Sequence, residues 1–197
     1  MTNRSVIKTA KRGAILAAAR RLMVRRGFGD VQLDEVARGA KIAKGTLFLY
    51  FENKDELVLA VFESLYEELG GRLGELCAAG LPPEELLRCT VETVVGHFDS
   101  NRDFTAALAS GKLTNFKCYG RFAGRISANL DRMTRIIKLC AAGGLVKSRD
   151  ARYEASLLFG LCRSGTMHRI ITGRRLSLKY RVDRIIALFL DGMRNKR

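Results

Sequence analysis

Residues 31–57, VQLDEVARGAKIAKGTLFLYFENKDEL, constrain the fold of this chain more than any other stretch. Leu33, Val36, Ala37 and Ala40 recur at helical spacing and give a first short helix one apolar side. Gly39-Ala40-Lys41 breaks that run, and Gly39 is the residue expected to tolerate a left-handed backbone. A second short helix is predicted from Ala43 to about Phe51, with Leu47, Tyr50 and Phe51 turned toward a core and Lys44, Gly45, Thr46 and Leu49 facing out. Asn53 opens a third helix, and Glu56 three residues later completes a capping-box pattern. Helix, Gly-containing turn and helix have the shape of a helix-turn-helix, whose second helix enters the DNA major groove.

The outward set suits base reading. Lys44 and Thr46 can donate hydrogen bonds to base edges, Gly45 lets the backbone come close, and Leu49 offers only apolar contact, as to a thymine methyl. Charge agrees. Residues 1–52 carry eleven Lys and Arg against four Asp and Glu, a balance of +7, as phosphate binding requires. Residues 53–101 carry −7 and residues 102–197 carry +15, so an acidic middle separates two basic regions. The second basic region is either a solvated surface or a further polyanion contact.

The segment AKGTLFLYFENKDEL resembles the recognition-helix signature of the tetracycline-repressor (TetR) family of bacterial transcription regulators, through Gly45, Leu47, the aromatic Phe48, Tyr50-Phe51, Lys54 and Leu57. Upstream, Ala37, Ala40 and Ile42 fit the family's turn, and Gly27-Phe28 its usual end to the first helix. The resemblance covers about residues 10–60. The chain departs from it with Lys41 for the usual turn Gly, Ala43 for a Ser cap, Phe48 for a Tyr, and Gln32 where a capping Thr is common. The resemblance implies a DNA-facing set of Gln32, Lys44, Gly45, Thr46, Phe48, Leu49, Tyr50 and Lys54, with Tyr50 and Lys54 on phosphates. It also implies a homodimeric regulator, most often a repressor, that binds a palindromic double-stranded operator and is released by a small molecule.

The remaining pattern is helical throughout, and the expected fold class is all-α. A helix-turn-helix domain over residues 1–52 is followed by a ligand-sensing and dimerisation bundle over residues 53–197. Residues 1–9 are expected as a mobile arm, and Ala10 to Arg26 as an amphipathic helix with Ile15, Leu16, Ala19, Leu22 and Met23 on its apolar stripe. The helix from Asn53 is expected to bend at Gly70-Gly71, and Pro83 begins the next. A stripe from Tyr119 through Phe122, Ile126, Leu130, Met133 and Ile137 to Cys140 marks a long helix. Two more follow, over 150–172 and 178–194. Ser156, Gly160 and Ser164 lie four apart, a spacing that allows close helix approach. With Ile185, Ile186 and Phe189 they are the predicted dimer seam. His97, Phe98, Phe104, Phe116, Tyr119, Phe122, Phe159 and His168 are the predicted effector-binding set, with Arg163 or Arg169 adding polarity, and the basic charge of this half favours an apolar effector with an anionic end.

Other classes lack their marks. There is no phosphate-cradling G-x-x-x-x-G-K-[ST], no G-x-S-x-G and no H-E-x-x-H, so neither an enzyme nor a bound cofactor is expected. Five cysteines scattered without a C-x-x-C pair, and two distant histidines, predict no metal site and no disulfide framework. No apolar run reaches the length of a membrane span, and a cytoplasmic location is expected. The alternative to a ligand-responsive regulator is a DNA-binding architectural protein that senses nothing.

Overall fold

The computed structural model describes residues 3–27, 30–109 and 119–193, and every regular element among them is an α-helix. In chain order these are α1 (Asn3–Arg26), α2 (Leu33–Gly39), α3 (Lys44–Phe48), α4 (Lys54–Ala78), α5 (Pro83–Ser100), α6 (Arg102–Ala109), α7 (Tyr119–Ala142), α8 (Ala151–Thr172) and α9 (Leu178–Met193). The chain divides into two units, residues 1–65 with 114–122 and residues 66–113 with 123–197.

The first unit is built on α1. Ile15, Ala18, Ala19 and Met23 are buried along one side of it, and α2 packs there. Gly39 ends α2 where an added Cβ would lie 3.2 Å from the Ala18 Cβ, so this glycine serves the close approach of α1. The left-handed residue is Lys41, with φ 58°. Its amide donates to the Arg38 carbonyl at 3.1 Å, and the Ile42 amide donates to the Ala37 carbonyl at 3.0 Å. This is a Schellman closure, which satisfies the last carbonyls of α2 and demands a left-handed residue two places after Gly39. The expectation for Gly39 is thereby corrected.

Two other expectations change. The segment predicted as a mobile arm is helical from Asn3, because nothing in residues 3–12 breaks a helix. The second helix of the reading motif stops at Phe48; the Leu49 and Tyr50 amides then donate to Thr46 and Leu47 carbonyls at 3.2 and 3.0 Å in a turn.

The start of α4 keeps the predicted Asn53 cap, while Glu56 reaches one residue further back than a capping box requires. Asn53 Oδ1 accepts from the Glu56 amide at 2.9 Å, and Glu56 Oε2 accepts from the Glu52 amide at 2.7 Å. The helix runs unbroken through Gly70-Gly71, where a bend was expected. A Cβ on Gly70 would meet Asn129 Oδ1 at 2.6 Å, and Asn129 Nδ2 donates to the Tyr66 carbonyl at 2.8 Å. The glycine is spent on letting α7 come close.

The second unit has one core. Leu69 and Leu73 of α4, Val91 and Val94 of α5, Ile136 and Ile137 of α7, Leu158 of α8 and Val182 of α9 meet in it. Its helix ends follow local chemistry. Pro83 takes the first position of α5, Asp150 caps α8 by accepting from the Arg152 and Tyr153 amides, and Gly173 closes α8 at φ 70°.

Candidate nucleic-acid interface and sensor core

Leu47 is fully buried and Phe51 is 2% exposed, as their apolar spacing demands, and they hold α3 on the first unit. That leaves the other face of α3 outside. Leu49 is 80% exposed, the most exposed of the large apolar side chains among the described residues, and Phe48 is 45% exposed. Gly45 is exposed with nothing within 4 Å of where a Cβ would be. A glycine that costs helix stability and relieves no crowding inside the chain is one whose backbone stays open to something outside. Thr46 and Tyr50 are half-buried beside it.

Lys44 Nζ lies 2.7 Å from Asp34 Oδ1 of α2, with both side chains more than half exposed. Exposed pairs of this kind contribute little and exchange readily for another anion. Neither Gln32 nor Ala43, the residues before α2 and α3, makes a side-chain capping bond. Lys54 stands half-buried in the first turn of α4. The frame beneath is tied by Arg26, whose Nη1 donates to both oxygens of Glu35 at 2.7 Å, and by Arg12, whose guanidinium lies over the Phe51 ring at 5.6 Å. The predicted DNA-facing residues are therefore gathered on one unit, with an apolar tip at Leu49 flanked by polar groups.

The predicted effector-binding residues are only partly brought together. His97, buried at the end of α5, sits edge-on to Tyr66 and Phe98 at ring centroid distances of 6.0 and 5.7 Å, and Phe98 sits edge-on to Phe159 at 5.3 Å. Asn101 Nδ2 lies 3.4 Å from His97 Nδ1 and donates to the His97 carbonyl at 2.8 Å. Burial holds the Tyr66 hydroxyl above the ordinary tyrosine range, opposed by the charge of Arg163. Phe104 is buried on α6. Phe122 instead belongs to the first unit, edge-on to Phe62 at 6.0 Å, and His168 is exposed on α8. The helical stripe that carries Phe122 continues into the other unit, and His168 lies on the outer side of α8. Phe116 and the Tyr119 side chain lie outside the described residues.

Sequence reasoning missed Tyr66, which looked like one more position of an apolar helix. It also missed a charged cluster, because its members are far apart in the chain. Arg181 of α9 donates through Nη1 and Nη2 to the two carboxylate oxygens of Asp99, and Thr166 Oγ1 of α8 donates to Asp99 Oδ1 at 2.8 Å. Burial pushes the Asp99 carboxyl up, but hydrogen bonds from Arg181 and Thr166 and the charges of Arg181 and Arg169 outweigh it, so the net shift is downward.

The seam residues separate as well. Ser156, Gly160 and Ser164 are exposed along α8, and a Cβ on Gly160 would meet nothing within 4 Å. Tyr153, Leu157 and Ile171 extend the same stripe, 62%, 48% and 76% exposed. Ile185 and Phe189 are buried in the core of their own unit, and Ile186 packs against it. The assignment of Ile185 and Phe189 to the seam is corrected because α9 uses their side to close the core. Leu178, Tyr180 and Leu188 are the large apolar residues that the described part of α9 leaves exposed.

Residues 15–61 match the family model for bacterial regulatory proteins of the tetR family. The HTH-type transcriptional regulator EthR of Mycolicibacterium smegmatis is 27% identical over 93 residues, 46% of this chain and 42% of that one. The chain spans less than half the length of several curated relatives that it matches. The fatty acid metabolism regulator protein of Bacillus subtilis matches more widely, 21% identical over 96% of this chain and 98% of its own. Among solved structures, the transcriptional regulator FadR from Bacillus subtilis in complex with stearoyl-CoA superposes with a TM-score of 0.76, at 17% identity, over 92% of this chain and 98% of that one.

Proposed function

We propose, for a chain that belongs to the tetR family of bacterial regulatory proteins, that it works as a homodimeric repressor released from a palindromic operator by a small molecule. The observation that carries this reading is the outer face of α3, where Gly45 is open and Leu49 is 80% exposed above a buried Leu47. An apolar tip among donors, on a short helix held by a Schellman turn, is what base reading in a major groove needs. Lys44 exchanges Asp34 for a base or phosphate, and Tyr50 and Lys54 hold phosphate.

A second copy of the chain covers the α8 stripe of Tyr153, Leu157, Gly160 and Ser164, with Leu188 of α9 beside it. A two-fold dimer presents two heads to successive major grooves, so the operator has matching half-sites. The effector is an apolar molecule with an anionic end, received in the second unit beside Tyr66, His97 and Phe159. Two things support the class: aromatic and polar groups meet at the end of α5, and the chain is similar in fold to a regulator that holds stearoyl-CoA. Release requires that the effector bind the DNA-free state more tightly, and only that difference moves the equilibrium. No helix among the described residues is long and apolar enough to cross a membrane; the cytoplasm, where a bacterial operator lies, is the proposed place of action.

Selection of duplexes from a random pool, followed by titration in the presence of acyl-CoA thioesters, tests the reading. Thr46→Ala or Lys44→Ala should weaken the selected site by about 1–3 kcal/mol, whereas Lys54→Ala should weaken all sequences alike and flatten the salt dependence by about one unit. Equal binding to every duplex would make this a packaging protein and defeat the operator reading. Release by amines or neutral analogues in preference to acids and acyl-CoA would defeat the anionic effector.

A further inference from the structure

α1 runs past the last residue that it packs. Residues 5–11 are exposed on every side, whereas Ile15 and Ala19 beyond them are fully buried. The exposed turns carry Lys8 and Lys11, Arg4 stands one turn before Lys8 in the sequence, and the first turn of α1 holds no acidic residue. Little within the chain favours a helix there. Unpacked helical segments this short are marginal in water. Lys8 is four residues from Arg4 and Arg12 and three from Lys11, spacings at which like charges repel, and cations oppose the positive end of the helix dipole. Among the described residues no carboxylate is paired with Lys8 or Lys11.

The place of these turns on the first unit is set by Arg12. Its guanidinium lies over Phe51, which ends the turn that follows α3 and stands between Leu49 and Lys54 in the chain. The extension therefore leaves the unit beside the residues assigned to DNA, as part of the helix against which α2 packs, α2 in turn carrying α3.

We infer that residues 3–11 form a helical clamp that lies against the phosphate backbone of duplex DNA flanking the site read by α3. The inference rests on the DNA-reading function proposed above and extends it. A polyanion supplies what the extension lacks, since phosphates between the cations cancel their repulsion and give the helix a surface to rest on. A helix about 10–12 Å across does not enter a minor groove about 6 Å wide, so the clamp follows the phosphate ridge. Contacts of that kind position the head and add affinity without choosing a sequence.

The test uses the intact protein, its selected operator, and two duplexes: one ending at the recognition core and one about ten base pairs longer on each side, roughly a helical turn. On the long duplex the double variant Lys8→Ala/Lys11→Ala should lose about two units of salt slope per head, and about fivefold in affinity per cation at 0.15 M salt. On the short duplex it should match the wild type. Its discrimination between operator and scrambled sequence should be unchanged. Amide exchange of residues 5–11 should slow on the long duplex only. An unchanged slope and unprotected amides, with operator preference intact, would overturn the clamp and leave the reading by α3 standing. A wild-type protein with no operator preference would overturn the reading by α3 and the clamp with it.

Discussion

Gly165→Ala should destabilise the protein although position 165 lies within α8. At an open helical position, alanine is more stable than glycine by about 1 kcal/mol. At Gly165 the new Cβ would stand 2.8 Å from Cδ and 3.3 Å from Nη1 of Arg181. Both atoms belong to the arm that reaches Asp99, so the arginine must leave its place. Arg181 is 8% exposed, and its Nε is already a buried nitrogen without a hydrogen-bond partner, so it has no comparable alternative inside. Breaking a fully buried ion pair costs about 3–5 kcal/mol. The Asp99 side chain keeps 23% of its surface in water, which lowers that figure to about 2–3 kcal/mol. Set against the helix gain, the net loss is about 1–2 kcal/mol. Urea unfolding followed by circular dichroism measures it. In an Arg181→Ala background the same substitution meets no guanidinium and should stabilise by about 1 kcal/mol. The pair also has a pH signature. The Asp99 carboxyl is lowered in the folded state, so its contribution is complete above the unfolded value near 3.9 and is lost as pH falls through the folded one. The stability gap between wild type and Arg181→Ala should therefore close only in acid, below about pH 4. Stabilisation by Gly165→Ala in both backgrounds would refute the placement of Arg181 across this glycine.

Three further outcomes are expected. Lys41→Gly removes a left-handed lysine that costs about 1–2 kcal/mol and returns about 0.5–1 in unfolded-chain entropy; thermal unfolding of the first unit should shift upward, and a lower midpoint would contradict the assignment. Gly45→Ala should raise folding stability by up to about 1 kcal/mol while weakening operator binding by about 1–3 kcal/mol; unchanged DNA affinity would show that the backbone there is not approached. Burial pushes the Cys140 thiol up to about 11 and the Cys162 thiol up to about 12, so a thiol reagent at neutral pH should leave both intact until urea unfolds the chain, whereas half-buried Cys89 should react before either of them.

The parts of this fold that could be read in the sequence are those decided within one helical turn. Asn53 and Glu56 act on amides three or four residues away, Pro83 takes a first-turn position that needs no amide donor, and the helices begin where these residues stand. The outer face of α3 was legible for the same reason: Leu47 and Phe51 go inward, and what remains of a five-residue helix and its turn must face out. Lys41 shows the limit even of local reading. Residue preference pointed to Gly39, but two hydrogen bonds, from Lys41 to Arg38 and from Ile42 to Ala37, choose the left-handed position.

Choices between equivalent surfaces were not legible, because they depend on partners distant in sequence. On α9 the apolar residues cover more than one side, and nothing local says whether Ile185 and Phe189 or Leu188 face the core. Asp99, 82 residues from Arg181, decides it. With Arg181 anchored to Asp99 and lying over Gly165, Val182, Ile185 and Phe189 follow on the same inner side, one, four and eight residues on. Leu188 and Tyr180 are turned outward by that anchoring. A buried ion pair is weak support for stability and better support for a unique arrangement. In the dimer proposed above, it selects which side of α9 is left for a second copy of the chain, so the proposed seam and the Asp99 cluster would be two consequences of one rotation of α9. Removing the pair with Asp99→Asn/Arg181→Met should therefore weaken self-association in sedimentation before it unfolds the unit, and a variant that dimerises as the wild type does would separate the two.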